Sequence, residues 1–437
     1  MIGANRPVEP RRRAFSKLRL THILLPDGIS PDAGVLLGAR AVRAFGDGFV
    51  SVLLPVYLLG LGYGAVAVGT LSTATLLGSA VLTLLVGLFA NRFGRKGLLL
   101  AACWLMAATG VAFATVHAFW PLLLVAFVGT LNPSSGDVSV FLPLEQSLLP
   151  QTAEPKVRTA LFARYSVAGT LAAAVGALCA GVPAWLASRT PLDTLAAIQV
   201  FFIVYGLLGL VAFCLYRRLP VPPEPSRVQS APLRESRRTV FTLSALFSLD
   251  AFGGGLVVQS LLALWLFQRF NLSLESAGSI FFWTGVMATG SFLLAVPLAA
   301  RFGLIHTMVF THLPSNVFLA LVPFMPSLPL AIALLLMRSA LSQMDVPTRG
   351  SYVMAVVPAE ERAAAASITS VPRSLASALG PLPAGFLLAL SPFGWPLVIA
   401  GVLKGIYDLL LLALFARVQP PEERDARSQI RPTSPAT

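Results

Sequence analysis

Long apolar segments follow one another along most of the chain, and short polar stretches separate them. Segments of about 20 apolar residues span a bilayer as α-helices, whereas barrel strands would give shorter, alternating segments. We therefore predict an all-α integral membrane protein. Twelve spans are predicted, near residues 35–59, 66–90, 97–117, 119–141, 159–186, 195–216, 240–267, 276–299, 305–326, 329–349, 364–389 and 395–416.

Basic residues border the apolar segments and are concentrated in every second connection between them. They occur between spans two and three, four and five, six and seven, eight and nine, and ten and eleven. The alternate connections carry only Arg189 and Arg269. Because basic connections stay on the cytoplasmic side, we expect a multi-pass protein of the cell membrane with both termini in the cytoplasm.

One polar stretch, rich in Pro and Arg, divides the twelve spans into two sets of six. Such a composition has no apolar period and is typical of a mobile tether. The chain is therefore predicted to form two six-helix bundles with polar ends. The predicted parts are a basic N-terminal segment (1–34), the first bundle (35–217), the linker (218–239), the second bundle (240–416) and a disordered tail (417–437).

The two halves repeat each other. The heptapeptide at 44–50, Ala-Phe-Gly-Asp-Gly-Phe-Val, is echoed at 251–257 by Ala-Phe-Gly-Gly-Gly-Leu-Val. Arg92-Phe93-Gly94 recurs as Arg301-Phe302-Gly303, and Asp137-Val138 recurs as Asp345-Val346. The offsets are nearly constant, at about 207 to 209 positions. Repeated membrane halves are typical of transporters with a central site between them.

Composition narrows the possible partners. Hydrophobic residues make up 56% of the chain and charged residues 12%, against roughly a quarter charged in soluble domains. The net charge of +13 comes from cations beside the spans, so we expect contact with membrane lipids and no nucleic acid. No phosphate-binding Gly-Lys-Ser/Thr loop, metal spacing or nucleophile constellation is present. We therefore expect no cofactor, no enzymatic activity and a monomer.

The connection between spans two and three resembles a known motif. Residues 87–96 read Gly-Leu-Phe-Ala-Asn-Arg-Phe-Gly-Arg-Lys, similar to motif A of the major facilitator superfamily, Gly-x-Leu-Ala-Asp-Arg-x-Gly-Arg-Lys. With the second-half remnant, the twelve spans and the central linker, the resemblance covers about residues 35–416. It implies two pseudo-symmetric bundles and a gating loop that contains Gly87, Asn91, Arg92, Gly94 and Arg95.

Two departures from the family pattern bear on mechanism. Asn91 stands where motif A carries an acid that joins a charge relay, and an amide cannot form an ion pair. The antiporter motif of span five lacks its Gly-Pro step, and the nearer match is Gly380-Pro381 in span eleven. Gly94 is expected to allow a tight turn, and its neighbouring cations to bind lipid phosphates and helix C-termini.

Charged residues inside the spans are the candidate site. Each costs about 2.5–3.5 kcal/mol at mid-bilayer, so it requires a partner or a function. Asp47 lies about 18 Å into span one at 1.5 Å per residue, near the midplane, which makes it a candidate proton carrier. The candidates for coupling or for the substrate cavity are Asp47, Arg43, Asp250, Gln259, Asp137, Arg164, Arg338, Asp345 and Arg373.

The repeat and the helical spacings also predict charge pairs. Asp137 is expected to pair with Arg164, and Asp345 with Arg373, either as structural links between neighbouring helices or as functional groups. Lys404 and Asp408, four residues apart in span twelve, are expected to neutralise each other. Glu145 is expected to face a loop.

The sequence favours a secondary transporter that moves a small organic solute by alternating access, by proton-coupled efflux. Uptake or exchange of an organic anion held by Arg43, Arg338 or Arg373 is the alternative within this class. A non-transporting membrane sensor on the same fold is the alternative from another class. The expected partners are thus a small-molecule substrate, protons and lipids.

Overall fold

The structure, a computed structural model, describes residues 28–134, 139–154, 157–220 and 233–416. Most of the predicted N-terminal segment, most of the linker and the whole tail therefore lie outside the described residues. Within the described residues every regular element is a helix, and the one β-bridge joins Ile29 and Ala153. The prediction of an all-α protein is confirmed.

The first half contains spans one to six. Five are long apolar helices or helix pairs, while span four contains only a ten-residue apolar helix. Its helices are α1 (Pro31–Gly60), α2 (Ala65–Phe93), α3 (Arg95–Thr115), α4 (Phe119–Val128), α5 (Phe141–Leu148), α6 (Arg158–Cys179), α7 (Val182–Arg189) and α8 (Thr194–Arg217).

The second half contains spans seven to twelve, each long and apolar enough to cross a membrane. The described residues thus hold eleven such segments in total, with α4 as the short twelfth. The helices of this half are α9 (Arg237–Gly255), α10 (Gln259–Phe270), α11 (Leu274–Phe302), α12 (Leu304–Leu321), α13 (Leu328–Ser342), α14 (Asp345–Val356), α15 (Arg362–Leu379), α16 (Pro381–Leu390) and α17 (Trp395–Phe415).

Several spans predicted as single helices are broken. Span four ends its first helix at Val128, and the Asn132 side chain accepts a hydrogen bond from the Ser134 amide, which favours a turn over a helix. Span seven breaks after Gly255, where three glycines in a row weaken the helix. The two breaks meet, because the Ser260 amide donates to the carbonyl of Pro133 at 3.0 Å. Spans five, ten and eleven are also split into two helices.

Two glycines form equivalent turns in the two halves. Gly94 links α2 to α3 with φ +68°, and Gly303 links α11 to α12 with φ +87°. These values lie in the region that glycine tolerates and other residues rarely adopt, so the predicted tight turn at Gly94 is confirmed. We call the end of the molecule with Gly94 and Gly303 the inner end, and the opposite end, with the turns at 61–64 and 271–273, the outer end.

The two halves pack closely at the outer end. A Cβ on Gly69 of α2 would stand 2.9 Å from the Cα of Gly385 in α16, so backbone approaches backbone there. Gly278 of α11 lies similarly close to the Ala177 carbonyl of α6. The Ser72 and Ser260 hydroxyls are 3.2 Å apart and join α2 to α10. Small residues therefore close the outer end.

The inner end is open. Ser367, Ser370 and Arg373 are exposed on α15, whereas Ala384 and Gly385 further along the same span are buried. A polar face exposed inside a membrane span requires water beside it, because lipid cannot satisfy its hydrogen bonds. The space between the halves therefore opens toward the inner end. By the predicted orientation, this is the cytoplasmic side.

Candidate functional site

A cavity of about 370 Å³ lies where the two halves face each other. This volume falls within the range of small-molecule sites, about 300–1,000 Å³. In the first half, α6 contributes Thr170 and small alanines and span four contributes Ser134, and the other walls come from the second half. The break after Gly255 contributes Val257 and Val258, which is typical of transporters whose interrupted helices line the site. The polar lining residues are Ser134, Thr170, Asp250, Gln259, Thr284, Arg338, Ser339, Ser342, Gln343, Arg373, Ser377 and Lys404.

More cations than anions line this cavity. Three cations, Arg338, Arg373 and Lys404, line it with one carboxylate, Asp250. Lys404 already forms an ion pair with Asp250, since its Nζ lies 2.5 Å from Asp250 Oδ1. Arg338 of α13 forms no ion pair within the described residues, and its buried Nε has no hydrogen-bond partner there. The lining therefore carries an excess of positive charge.

Asp250 also connects the cavity to a deeper set of charges. Arg349 Nη2 of α14 donates to Asp250 Oδ2 at 2.8 Å and to the Asp345 carboxylate one helical turn away. The Arg349 guanidinium lies over the Phe247 ring, 5.1 Å from its centroid. Asp345 thus binds Arg349 and not Arg373, although all three lie in the described chain. The predicted pairing of Asp345 with Arg373 is wrong, because Arg349 follows Asp345 by four residues on α14 and therefore lies on the same face of that helix.

His312 of α12 lies behind Asp250. Its Nε2 is 3.8 Å from Asp250 Oδ1, and its Nδ1 is 2.9 Å from Asp408 Oδ1. Asn316 donates to the second oxygen of Asp408 at 2.8 Å. Asp408 therefore interacts with α12, and Lys404 interacts with α9. The predicted neutralisation of Lys404 by Asp408 is wrong, because each side chain has a closer partner on a neighbouring helix.

The first half has its own buried ion pair. Arg43 of α1 binds Glu145 of α5, and both side chains are at most 2% exposed. Tyr165 and Tyr216 each donate to the Glu145 carboxylate at 2.5 Å. The Arg43 guanidinium also lies 4.0 Å from the centroid of Phe141. Glu145 was predicted to face a loop, and this prediction is wrong, because α5 turns its side chain toward α1.

Each half has a buried ion pair, and one member of each pair, Arg43 or Asp250, occupies a repeat-equivalent position with the sign of its charge reversed. Span one supplies a cation, Arg43, and span four its anion, Glu145. Span seven supplies an anion, Asp250, at the position equivalent to Arg43, and span ten its cation, Arg349. Opposite charges at repeat-equivalent positions require partners of opposite sign. This was the sequence signal that could have identified Glu145 and Arg349, which were absent from the predicted site.

Asp47 lies one turn from Arg43 and is 6% exposed. It forms no ion pair in the described chain, since Arg43 binds Glu145. The charges of Arg43 and Arg40 and the amide of Asn132 act on its carboxylate. Asp47 is thus a buried acid outside the lining of the main cavity.

The other predicted site residues have the following positions. Asp250, Gln259, Arg338 and Arg373 line the cavity, whereas Arg43 and Asp345 lie in the two ion-pair networks. Arg164 has a buried Nη1 without a hydrogen-bond partner among the described residues. Asp137, its predicted partner, lies outside the described residues.

The predicted gating loop connects α2 to α3. Arg92 stacks on Phe93 at 5.7 Å, as Arg301 does on Phe302 at 5.4 Å in the other half. Lys96 Nζ donates to the Arg217 carbonyl at 3.0 Å, at the C-terminus of α8. A cation at a helix C-terminus interacts favourably with the free carbonyls there. Gly87 and Asn91 lie within α2, and Arg95 begins α3.

Comparison with known proteins identifies the family to which this chain is similar. The sequence profile of the Major Facilitator Superfamily matches residues 36–336 and 243–437, which together cover almost the whole chain. A protein of Saccharomyces cerevisiae, the uncharacterized membrane protein YJR124C, is 23% identical over 430 residues. That alignment covers 89% of this chain and 95% of the yeast protein.

Solved structures of transporters share the fold. A bacterial homolog of the human lysosomal transporter Spinster, inward-facing and occupied, gives a TM-score of 0.69 at 16% identity, covering 92% of this chain and 97% of that one. The nucleoside transporter NupG gives 0.65 at 14%, covering 88% and 99%. The human organic anion transporter MFSD10 gives 0.62 at 18%, covering 87% and 98%.

Proposed function

The chain belongs to the Major Facilitator Superfamily of membrane transporters, and we propose that its cargo is a small organic anion, carried together with protons. The observation that carries the proposal is the excess of cations in the cavity between the halves. Three cationic side chains line it against one carboxylate. A neutral or cationic solute would leave the charge of Arg338 at the cavity without a counter-charge.

Arg338 is the residue that we propose binds the anion. Its charge is placed at the cavity without an ion-pair partner in the described chain. A buried charge without a partner is costly, by several kcal/mol, unless a ligand supplies the opposite charge. Gln343 lines the same cavity, and its side-chain amide can donate a further hydrogen bond to a carboxylate or phosphate.

Alternating access accounts for transport through this site. The halves are packed at the outer end and apart at the inner end, so the cavity is accessible from one side. Rocking of the halves about the cavity would open the outer end and close the inner one. With both termini in the cytoplasm, as the loop charges predict, the present state would face inward.

Direction is part of the proposal. The sequence favours proton-coupled efflux. The cations of the cavity favour an anionic cargo, and we propose that it is taken up together with protons. A proton and a monovalent anion that move together carry no net charge, so a pH difference drives their uptake, and one pH unit supplies about 1.4 kcal/mol, enough for a ten-fold gradient. Export of an uncharged compound with Asp47 as the proton carrier is the second candidate, since Asp47 is a buried acid without an ion pair in the described chain.

The cargo class can be tested in proteoliposomes. Uptake of labelled succinate, citrate and benzoate would be compared with uptake of uncharged analogues, with and without an uncoupler. We expect at least one anion to be taken up, and Arg338→Gln to weaken its apparent affinity by about ten- to hundred-fold. This corresponds to a charged hydrogen bond of about 1.5–3 kcal/mol.

Arg189→Gln is the matched control, because Arg189 is an exposed arginine at the outer end, stacked on Trp185. Uptake of uncharged compounds in preference to all anions would contradict the proposed cargo. Equal affinities in Arg338→Gln and Arg189→Gln would contradict the role of Arg338. Uncoupler-sensitive export would favour the second candidate.

A further inference from the structure

Six ionisable side chains form one buried cluster behind the cavity, and we call it the charge cluster. All are at most 9% exposed. They come from four helices of the second half, and Asp250 and Lys404 also line the cavity. The members are Asp250, His312, Asp345, Arg349, Lys404 and Asp408.

The charges of this cluster do not balance without a proton. Asp250, Asp345 and Asp408 supply three carboxylates, whereas Arg349 and Lys404 supply two permanent cations. With a neutral imidazole the cluster carries one excess negative charge, and with an imidazolium it is neutral. An uncompensated charge at this depth costs several kcal/mol. Electrical neutrality of the cluster therefore requires one bound proton.

The geometry indicates where this proton is held. An imidazolium carries a proton on both nitrogens. His312 Nδ1 lies within hydrogen-bond distance of Asp408, at 2.9 Å, and Nε2 lies 3.8 Å from Asp250, which is close enough for a charge interaction. Asp408 is 0% exposed, and Asn316 donates to its second oxygen at 2.8 Å. Of the two carboxylates that face His312, only Asp250 touches the cavity, so it is the route by which a proton reaches His312.

The other helices packed against α12 add no further counter-charge to this site. From α14, Asp345 and Arg349 neutralise each other, and α17 adds Lys404, Asp408 and the hydroxyl of Tyr407. α13 carries one charged residue, the cavity-lining Arg338. α11 carries Glu275 and Arg301, at its two ends.

We propose that His312, held between Asp250 and Asp408, binds the proton that moves with the cargo. The proposal rests on the proposed transport of an anion. An anion in the cavity competes with Asp250 for Lys404, and the counter-charge of Asp250 then comes from Arg349 and from the imidazolium together. Anion and proton therefore bind together. The proton leaves His312 through Asp250 when the cavity faces the other side and the anion departs.

A stability cycle tests the proton site without any cargo. Thermal unfolding of the purified protein would be measured for wild type, His312→Gln, Asp408→Asn and the double variant. His312→Gln leaves three carboxylates with two cations and is expected to lower the melting temperature by several degrees. Asp408→Asn restores neutrality in that background, so the double variant is expected to recover most of the loss.

His306→Gln is the control, because His306 lies on the same helix and stacks on Phe310 outside the cluster. A single Asp408→Asn variant more stable than wild type would overturn the proposal, since this substitution removes an excess negative charge if the imidazole is neutral but leaves a positive charge uncompensated if it is protonated.

A transport assay completes the test. Counterflow of the panel anions at equal pH measures exchange, and accumulation driven by a pH gradient measures coupling. We expect His312→Gln/Asp408→Asn to keep counterflow and to lose accumulation. Accumulation that persists in the double variant, or that disappears in Asp47→Asn alone, would overturn the proposal. Absence of counterflow for every anion in wild type would instead refute the proposed cargo, while the stability cycle would still decide the proton site.

Discussion

Glu145 shows how a single residue can connect several helices. It accepts from Arg43 of α1, Tyr165 of α6 and Tyr216 of α8, so one carboxylate of α5 holds three spans together. Arg43 Nε also donates to the Tyr216 hydroxyl at 3.2 Å. Because every partner is buried, the pair is strongly interdependent, and loss of one member leaves the other charge unpaired.

This dependence can be measured. Glu145→Gln is expected to lower the free energy of unfolding by about 3–5 kcal/mol, the usual cost of leaving one member of a buried pair. Arg43→Gln/Glu145→Gln is expected to recover part of that loss, because no charge remains uncompensated. Thermal unfolding in detergent provides the measurement. A double variant that loses the sum of the two single losses would show that the residues act independently.

At the scale of elements, the two halves share a contact. In each half, the residues just before the first helix form hydrogen bonds with the connection that precedes the fifth span. In the first half, the Ser30 amide donates to the Thr152 carbonyl at 2.7 Å, just before α1. In the second half, Glu361 accepts from the backbone N–H groups of Arg234, Glu235 and Ser236, just before α9. Glu361 thereby satisfies donors that no helix bond can reach.

The Glu361 carboxylate has a perturbed pKa. The hydrogen bond from the Ser236 hydroxyl, with those from the three backbone N–H groups, lowers the pKa of Glu361 from 4.5 to about 2 and outweighs the opposing effect of desolvation. Because the folded pKa lies below the unfolded one, the stabilisation is fully present above pH 4.5. It is lost as the pH falls through about 2.

Glu361→Gln is accordingly expected to melt at a lower temperature than wild type at pH 7. The difference should shrink as the pH falls below about 4.5, because wild type then loses the same interaction. Glu360→Gln is the matched control, since Glu360 is the exposed neighbour. A difference that stays constant from pH 7 to pH 3 would show that the charge of Glu361 does not matter.

At the scale of the whole molecule, the position of the closed end determines which side reaches the cavity. The contacts that close the outer end, between Gly69 and Gly385 and between Ser72 and Ser260, join one half to the other. They involve small residues and one hydroxyl pair, with no ion pair among the described residues at that contact. Such an interface can separate without exposing charge to lipid.

A crosslink across this interface should block transport. Ser72→Cys/Ser260→Cys, with Cys103, Cys179 and Cys214 replaced by Ala, places two thiols where hydroxyls stand 3.2 Å apart. We expect oxidation to stop counterflow and a reductant to restore it, because the outer end must open in each cycle. The single-cysteine variants are the controls. Full transport by the oxidised double-cysteine protein would show that the outer end does not open there.

Local features of the chain determined much of the architecture. Apolar length fixes the spans, and the repeat fixes two related halves, because both are read residue by residue. Gly94 and Gly303 were identifiable because a tight turn requires a conformation that glycine tolerates. Asp250 and Arg338 were identifiable as candidates because any charge within a span requires a partner or a function.

Only the tertiary structure decided which charges meet. Lys404 faces Asp250 rather than Asp408, and Glu145 faces Arg43 rather than a loop. Partner choice depends on the rotation of each helix and on the breaks in spans four, seven and ten, and these follow from packing between distant segments. The sequence by itself thus specifies the spans, the repeat and the buried charges. The fold alone brings His312 between Asp250 and Asp408, because contacts between residues far apart in the chain have no local signal.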